Sequence, residues 1–344
     1  MTAVREAFPT ARSAGYRMPA EWQAHDRCWM AWPCRSEFWG DNLDATREAY
    51  ARVANAIGEF EPVTMLSPPG DYINARNLCG EKVEVLPLEL DDSWTRDMGP
   101  NFVVGKDRKL AASLFHFNSW GKKHAPWGKD AAVGHRIAEY LEIPTFTSTI
   151  YMEGGGINVD GEGSVLASLQ NVLNDNRNPG LEKEEAETIL CDALGAEKVL
   201  WVPGDPEDTE TDGHIDGIAC FLAPGKVLVE ICPQKGTQRY DNMQANLAAL
   251  KVQTDAAGRT LDIVTIEEAY EADRRSEIFA CSYINFYIAN GGIVMPGFGI
   301  DRDEDARRLL SELFPDREIA QIDIADIALG GGGIHCITQQ QPAV

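Results

Sequence analysis

Short apolar runs, broken in pairs by a glycine-containing turn, recur along the chain and predict β-hairpins. Four such pairs have turns near residues 105, 161, 225 and 291, in the segments PNFVVGKDRKLAASLF, GGINVDGEGSVLASL, DGIACFLAPGKVLVEI and YINFYIANGGIVMPGF. The turns follow one another at intervals of roughly 60 residues, a spacing typical of repeated supersecondary modules. The pattern therefore predicts a chain built from repeats.

Segments with helical periodicity lie between the hairpins, and each is followed by an extended run. The predicted helices are DATREAYARVANAIGEF, DAAVGHRIAEYLEI, EKEEAETILCDAL, NMQANLAALKVQTDAAG and EDARRLLSELFP, and the extended runs are VTMLSP, PTFTST, KVLWVPG, DIVTIE and EIAQIDI. The order hairpin, helix, strand thus occurs about five times. We expect the C-terminal GIHCITQQ to join the VTMLSP strand, so that both ends of the chain share one module.

Two architectures fit these elements. One is a single α/β domain over residues 1–344, in which the modules close into one body. The other is a two-domain α/β protein with antiparallel edge strands. We favour the closed repeat, because no low-complexity tract or evident linker divides the chain.

The net charge narrows the range of partners. Lys and Arg number 31 against 54 Asp and Glu, which gives −23 at pH 7. Such a surface repels phosphate backbones and anionic lipid and concentrates small cations. We therefore expect a cationic substrate and no nucleic-acid or membrane partner, although an acidic surface also serves solubility alone.

The cysteines and the first segment indicate the compartment. MTAVREAFPTARSAGYRMPAEW lacks the apolar core of a secretory leader, and no run of about 18 apolar residues occurs, so we expect a cytoplasmic location. The eight cysteines form no C-x-x-C pair, and most lie in apolar runs, as expected for reduced core residues. Cys336 differs, because glycines and polar residues flank it in GGGGIHCITQQQP.

Polar residues occupy the starts of the hairpins, where a buried strand would normally begin with an apolar residue. The segments are SWTRDMGP, YMEGGGIN, TDGHIDGI and GGGIHC, and the residues are Asp97, Glu153, His214, Asp216 and Cys336. If the modules are equivalent, these residues lie near one common axis. They form the candidate site.

Cys336 is the candidate nucleophile. Glycine lets a ligand approach the main chain closely, and a nucleophilic cysteine needs a nearby base or cation, which His214 can supply. On a strand, His214 and Asp216 in GHIDG would share one face. By the same alternation His335 points away from Cys336, and we interpret it as structural. The alternatives are a buried free thiol at Cys336 and a structural or metal-binding role for GHIDG, which has no third zinc ligand at a recognisable spacing.

The carboxylates indicate the substrate class. Several acids around a thiolate raise the thiol pKa and repel a developing oxyanion, which disfavours acyl transfer. A guanidinium, in contrast, is a planar cation with five N–H donors that carboxylates can hold bidentately. The cluster therefore predicts an enzyme that acts on guanidines.

At these residues the sequence resembles the agmatine deiminase family, also called agmatine iminohydrolases, of the guanidino-group-modifying superfamily. The resemblance runs from end to end of the chain through the segments YRMPAEWQAHDRCWMAWP, DDSWTRDMGP, FNSWG, EGGGINVDGEG, LNDNRNPG, TDGHIDGIACF, SYINFYIANGGIV and GGGGIHCITQQQP. It implies a five-bladed α/β propeller of pseudo-symmetric ββαβ modules. It also implies hydrolysis of agmatine to N-carbamoylputrescine and ammonia without a metal or organic cofactor, a reaction that feeds putrescine and polyamine biosynthesis, and it implies a homodimer.

The resemblance also implies a role for each site residue. Cys336 is the nucleophile, which forms a covalent amidino-thioether, and His214 is the acid and base. Asp97 and Asp216 hold the guanidinium nitrogens, and Glu153 helps to fix the cation.

Three further residues are expected to bind substrate. Trp94 and Trp120 wall the alkyl chain, and Glu210, four residues before the histidine of GHIDG, binds the far ammonium of agmatine. The chain departs from the family at Gly333, where the family often has Asn, and in the segment 266–281, which is shorter than the family's loop. Because such loops select substrate, these departures bear on which guanidine is used.

Other functions fit part of the pattern. A deiminase of peptidyl-arginine or of a free guanidino acid would use the same chemistry on another substrate. A non-catalytic propeller that binds cationic ligands would need no nucleophile, and a metallohydrolase centred on GHID would need a metal. The complete set of cysteine, histidine and two aspartates favours the deiminase.

Overall fold

Seventeen strands form five separate β-sheets in the part of the chain that the structure describes. This computed structural model describes residues 9–344. In chain order the strands are β1 Tyr16–Arg17, β2 His25–Ala31, β3 Val63–Ser67, β4 Val83–Pro87, β5 Asn101–Gly105, β6 Leu110–His116, β7 Thr145–Tyr151, β8 Ile157–Val159, β9 Ser164–Ser168, β10 Lys198–Val202, β11 Ala219–Ala223, β12 Lys226–Ile231, β13 Asp262–Glu267, β14 Tyr287–Ala289, β15 Gly292–Gly297, β16 Glu318–Asp323 and β17 Gln339–Pro342. The strand orders are β17-β2-β3-β4, β1-β5-β6-β7, β8-β9-β10, β11-β12-β13 and β14-β15-β16.

Every sheet combines antiparallel and parallel pairing in the same way. In four sheets an antiparallel hairpin is followed by a third, parallel strand: β5-β6-β7, β8-β9-β10, β11-β12-β13 and β14-β15-β16. In the remaining sheet β17 is antiparallel to β2, and β3 and β4 continue in parallel. The chain thus has an α/β fold with mixed sheets, and the four predicted hairpins are confirmed.

The C-terminal segment closes the first sheet, although not in the way the sequence suggested. The strand is β17, which begins three residues after Cys336, and it pairs with β2 instead of directly with β3. The C-terminal strand β17 therefore shares a sheet with β2, whereas the N-terminal strand β1 pairs with β5 in the next sheet. The side chains of β17 are buried, with Gln341 accepting a hydrogen bond from the indole of Trp29 at 3.0 Å.

Six helices of seven or more residues connect the strands of the described chain. They are α1 Leu43–Gly58, α2 Tyr72–Leu78, α3 Val133–Tyr140, α4 Lys183–Leu194, α5 Gln238–Lys251 and α6 Arg302–Leu313. Five were predicted, whereas α2 was not. Helix α5 begins four residues earlier than expected because the Thr237 hydroxyl caps it, accepting the Tyr240 N–H at 3.1 Å.

The helices bury one face against the sheets. In α1 the residues Ala49, Val53 and Ile57 recur every fourth position and are fully buried. They belong to a large apolar cluster that also holds β3 and β15 residues. Within residues 9–344 no helix combines the length and the apolar character that a membrane crossing would need. The first eight residues of the segment that we searched for a leader lie outside the described part.

We expect Gln341→Leu to destabilise the fold, because it leaves the buried Trp29 indole N–H without its acceptor. An unpaired buried donor costs about 1–3 kcal/mol, which urea unfolding followed by circular dichroism would detect. Gln340→Leu is the matched control, since its Oε1 has no hydrogen-bond partner among the described residues. Equal losses in the two variants would contradict the assigned role of the Gln341 side chain.

Candidate active site

The segments that precede the first strands of four sheets bring the five predicted polar residues together. Asp97 lies in a short helix before β5, Glu153 before β8, His214 and Asp216 before β11, and Cys336 before β17. All five are at most 7 % exposed. The sequence rule that polar residues mark the hairpin starts therefore found a real cluster.

Gly155 marks the centre of this cluster. A Cβ atom built on it would lie 2.6 Å from His214 Nδ1, 2.8 Å from Asp97 Oδ1 and 3.1 Å from Asp216 Oδ2. Three side chains thus converge on one point, and only glycine leaves that point open. The Gly155 N–H itself donates to Asp97 Oδ1 at 2.9 Å.

Cys336 lies between a carboxylate and an amide. Its Sγ is 3.5 Å from Asp216 Oδ2, and Asn285 Nδ2 donates to Sγ at 3.2 Å. The Asn285 Oδ1 accepts the Cys336 N–H, also at 3.2 Å. The side chain of Asn285 therefore forms hydrogen bonds with both the main-chain N–H and the sulfur of Cys336.

His214 is held by a buried ion-paired network. Its Nε2 faces Glu153 Oε2 at 3.1 Å, and Glu153 accepts from the Nε and Nη2 of the buried Arg177 at 3.0 and 3.3 Å. The His214 Nδ1 is buried without a hydrogen-bond partner among the described residues and lies 3.8 Å from Asp97 Oδ1. This nitrogen is the one that is free to exchange a proton with a bound molecule.

The GHIDG motif does not form the strand that the sequence suggested. Residues Ile215–Gly217 form a 3-10 turn, and His214 precedes it in an extended conformation. His214 and Asp216 nevertheless face the same site, while Ile215 is fully buried in the core. The prediction that the side chains of His214 and Asp216 face the same way is therefore confirmed, although a 3-10 turn and not a strand places them there.

His335 was misinterpreted by the same argument. It lies in a turn and not in a strand, and its Nδ1 is 2.9 Å from Asp216 Oδ2. The ring therefore contacts a carboxylate of the site instead of pointing away from it.

The glycines before Cys336 make room for large side chains. A Cβ on Gly332 would lie 2.4 Å from the Trp94 ring, and one on Gly330 would lie 2.4 Å from the Trp39 ring. A Cβ on Gly333 would lie 2.6 Å from Asn285 Oδ1. This explains Gly333, because Asn285 occupies the space that any side chain there would need.

The two predicted substrate tryptophans lie behind the reactive groups. Trp94 packs on the glycine run and is 5.9 Å from Trp39 between ring centroids. Trp120 donates its indole N–H to Asp97 Oδ2 at 2.9 Å. Both are 5 % exposed, and neither lines the cavity described next.

A cavity of about 970 Å³ opens onto Cys336, His214 and Asp216. Carboxylates dominate its lining and outnumber its two arginines, Arg239 and Arg274. Much of one wall comes from the connection between β13 and β14, which includes part of the segment 266–281. The cavity therefore suits a small cation.

Glu210 lines this cavity, as the sequence reasoning required. Its carboxylate contacts His124 Nε2, and its main-chain carbonyl accepts from Lys123 Nζ at 2.7 Å. A ligand cation at Glu210 would share the carboxylate with the histidine. Asp97 and Glu153 are not on the cavity lining. Glu153 contacts the far nitrogen of His214 at 3.1 Å, whereas Asp97 Oδ1 lies at the point beside Gly155 on which Asp216 Oδ2 also converges.

The pKa values of the site residues depend on two effects, burial of the charged form and the charges of neighbouring side chains. Burial raises the pKa of the Cys336 thiol well above its usual value, and Asp216 and Asp97 raise it further. Burial lowers the pKa of His214, but Asp97 and Glu153 outweigh it and bring the pKa to about 9. Near neutral pH the pair is thus a thiol and an imidazolium unless a cation joins the carboxylates.

The pKa values of the two aspartates are shifted in opposite directions. Burial raises the pKa of Asp97, and the opposing effect of His214 is insufficient to offset it. Burial would also raise the pKa of Asp216, but the hydrogen bond and charge of His335 hold it below the usual value. For Glu153 burial is outweighed by Arg177 and His214, and its pKa falls to about 2.

Sequence reasoning missed three residues that contact this cluster: Asn285, Arg177 and His335. Asn285 could have been found, because it stands two residues before β14 and thus starts the fourth hairpin, as Asp97, Glu153 and His214 start the other three. Arg177 lies in the loop LNDNRNPG, where a single arginine gives no local signal. Among the described residues, no three His, Cys, Asp or Glu side chains are grouped as metal ligands would be.

Comparison with known proteins gives a consistent result. The sequence pattern of the Porphyromonas-type peptidyl-arginine deiminases matches residues 17–342. A Legionella pneumophila protein is 47 % identical over 331 residues and 95 % of each chain, and the agmatine deiminase of Stutzerimonas stutzeri is 38 % identical over 358 residues and 97 % of each chain. The solved agmatine deiminase of Enterococcus faecalis superposes with a TM-score of 0.94 at 32 % identity, covering 98 % of this chain and 99 % of its own.

We expect the His214 ring to titrate near pH 9 in the folded protein, against about 6.5 in an unfolded chain. Because folding raises this pKa, the contribution of His214 to stability is complete below about pH 6.5 and is lost as the pH rises to 9. Glu153→Gln should lower the His214 pKa, which NMR of the ring would measure, and should shrink that loss in urea unfolding.

Glu207→Gln, at an exposed acid on the cavity lining, is the control for this titration. Glu230, whose pKa burial and Glu268 raise to about 8, also destabilises the fold as the pH rises, but it does so equally in all three proteins. An unchanged His214 titration in Glu153→Gln would contradict the interpretation.

Proposed function

The chain belongs to the Porphyromonas-type peptidyl-arginine deiminase family, and from this premise we propose that it is an agmatine deiminase, hydrolysing agmatine to N-carbamoylputrescine and ammonia. The observation that carries the proposal is the convergence of a thiol, an imidazole and two aspartates at the inner end of an acidic cavity. The product supplies putrescine and polyamine biosynthesis.

Binding begins with the guanidinium between Asp97 and Asp216. Two carboxylates on either side of a planar cation fix its central carbon over Sγ and exclude rotation. The cation also offsets the carboxylates that raise the thiol pKa, so that substrate binding favours the thiolate. The nucleophile is therefore activated mainly when a guanidine is present.

The first half-reaction forms a thioether and releases ammonia. The Sγ of Cys336 adds to the guanidinium carbon to give a tetrahedral adduct, and the bond to one terminal nitrogen then breaks. His214 Nδ1, which has no hydrogen-bond partner among the described residues, donates the proton that the leaving nitrogen needs. The product is an amidino-thioether and NH₃.

The second half-reaction regenerates the thiol. His214, now neutral, takes a proton from water, whose oxygen adds to the amidino carbon, and the C–S bond then breaks. The hydroxyl proton of the adduct passes to solvent, the carbon retains the oxygen as the ureido carbonyl, and the sulfur leaves with the electron pair of the C–S bond as a thiolate, which is protonated again once the product has left. Asn285 supports this thiolate, because its amide already donates to Sγ at 3.2 Å.

Glu210 and the acidic cavity support agmatine over other guanidines. The far ammonium of agmatine meets Glu210 and further carboxylates on the lining, whereas the carboxylate of a free guanidino acid would be repelled. Trp120 donates a hydrogen bond to Asp97, and Trp94 packs against Gly332 beside Cys336. We keep both tryptophans as residues of the substrate site, where they position Asp97 and Cys336.

We infer further that the five sheets are the blades of a single propeller domain over residues 1–344. Five sheets with the same pairing pattern support this arrangement, as does the closure of the first sheet by β17. All eight cysteines are free thiols, which supports a cytoplasmic location. The acidic charge supports the absence of nucleic-acid and membrane partners, and a homodimer rests on the family resemblance.

Cys336→Ala should abolish formation of the ureido product from agmatine, because no other group can form the thioether. Cys281→Ala is the matched control, since Cys281 lines the same cavity, yet burial raises its pKa to about 11 and we assign it no chemistry. Product is measured colorimetrically with agmatine, arginine, a peptidyl-arginine and 4-guanidinobutyrate, and agmatine should be turned over fastest. Full turnover by Cys336→Ala would exclude this nucleophile, and activity abolished by exhaustive chelation would favour a metallohydrolase.

Glu210→Gln should raise the KM for agmatine about tenfold to a hundredfold, the value of one charge-assisted hydrogen bond of roughly 1.5–3 kcal/mol. With n-butylguanidine, which has no ammonium group, kcat/KM should stay unchanged. Glu277→Gln, at an exposed acid of the same lining, should alter neither substrate. Equal losses for the two substrates in Glu210→Gln would show that Glu210 does not bind the ammonium.

A further inference from the structure

A buried chain of three ionisable groups runs from the N-terminal segment to the nucleophile. His335 Nε2 lies 3.0 Å from Glu21 Oε1, and His335 Nδ1 lies 2.9 Å from Asp216 Oδ2. The same Asp216 oxygen is 3.5 Å from the Sγ of Cys336. The side chains of Glu21, His335 and Asp216 are at most 9 % exposed.

Both ring nitrogens of His335 thus face carboxylate oxygens, which accept hydrogen bonds and do not donate them when ionised. A neutral imidazole carries one N–H and would leave one of these contacts without a proton. An imidazolium carries two and satisfies both. The geometry therefore requires a charged His335 between two ionised carboxylates.

Charged groups from several elements face the His335 ring and its two carboxylate partners. Arg96, from the short helix before β5, donates its Nε to the His335 carbonyl at 3.3 Å and places Nη1 3.8 Å from Glu21 Oε1. His214 also acts on Asp216 from the far side. Arg96 opposes a proton on His335, whereas Glu21 and Asp216 favour it and prevail, so that the pKa of His335 is raised above its usual value despite its burial.

We propose that His335 is a positioning residue, held as an imidazolium between Glu21 and Asp216, that keeps Asp216 ionised and aimed at the substrate guanidinium. Asp216 is then the fixed anion of the pair of aspartates. Among residues 9–344, Asp97 has no such partner and accepts hydrogen bonds from the N–H groups of Gly155 and Trp120, with His214 more distant. The role rests on the proposed function, in that Asp216 binds the guanidinium.

The two aspartates then have different roles in the reaction. Groups whose surroundings push their pKa values apart take different roles in acid–base chemistry. Asp216 is ionised across the working pH range and anchors the cation. Asp97, whose pKa is raised, is the carboxylate that can accept a substrate proton as the adduct forms.

The test measures kcat and KM for agmatine between pH 4.5 and 10 in purified variants. In His335→Gln the amide can still donate to Asp216, but the positive charge is gone. Loss of an opposite charge at this distance raises a carboxyl pKa by about 1–3 units. The acid limb of kcat/KM should therefore move up by about that amount, and activity should recover toward the wild-type value as the pH rises.

Glu21→Gln acts on the other side of the ring. It removes one of the carboxylates that hold the proton on His335, so the pKa of His335 should fall. Because Asp216 is ionised at alkaline pH even without the imidazolium, the alkaline limb of kcat/KM should stay in place, and the acid limb should move up by no more than in His335→Gln. If Glu21 acts only through His335, the double variant should reproduce the pH profile of His335→Gln without further loss.

Asn246→Ala is the matched structural control. Asn246 is also fully buried, and its side-chain amide accepts the Gly204 N–H at 3.0 Å and donates to the Gly204 carbonyl at 2.9 Å, away from Glu21, His335 and Asp216. Its removal should lower the unfolding temperature and leave both limbs of the pH profile in place. A His335→Gln profile that only scales down, as in this control, would overturn the proposal.

One measurement is independent of turnover. The ¹⁵N NMR signals of His335 should show an imidazolium at pH 7.5 in the wild type, and the ring should lose its proton at lower pH in Glu21→Gln. A neutral His335 at pH 7.5 would overturn the inference even in an active enzyme. Absence of any turnover in the wild type, with an imidazolium at His335, would instead reject the proposed function.

Discussion

The site depends on the neutralisation of buried negative charge. Four buried carboxylates lie around Cys336 or behind the residues that contact it: Glu21, Asp97, Glu153 and Asp216. A buried carboxylate without a positive partner is costly in free energy. Arg177 and Arg96 supply fixed positive charge, and two histidines become cations in the same environment. Because these groups come from different sheets, the ion pairs work only when the sheets are assembled. Of these four carboxylates, Asp97 is the one without a cation within hydrogen-bond distance among the described residues, and under the proposed function the substrate cation stabilises it.

The sequence predicted the sheets well and the site contacts less well. Hairpins depend on local turn chemistry and alternation, so the four turns were visible in the sequence. Asp97, Glu153, His214, Asp216 and Cys336 were found because polar residues at strand starts are exceptional. Arg177 could not be predicted, because it reaches Glu153 through a loop whose path has no local signal, and His335 was placed wrongly because strand alternation was applied to a turn.

The glycines of the site matter mainly because they lack a side chain, and less because of their backbone conformation. Gly155 leaves open the point on which three reactive side chains converge, and Gly330, Gly332 and Gly333 give their volume to Trp39, Trp94 and Asn285. The aromatic rings in turn keep the turn that carries Cys336 from moving. Because these glycines have no side chain, their neighbours pack directly against the main chain. This close packing restricts the backbone as firmly as a side chain would, so a flexible residue type contributes to a rigid site.

The pairing of β17 with β2 has a consequence for the order of folding. The hairpins of four sheets join segments that are neighbours in the chain, whereas Gln339 pairs with Trp29 across some 310 residues. Contacts of such long range form late, and during synthesis β2 waits as an unpaired edge while the other sheets can already assemble. The same late event brings in Cys336. Under the proposed function, a partly made chain therefore holds most of the fold without its nucleophile, so it cannot consume substrate before β17 pairs with β2.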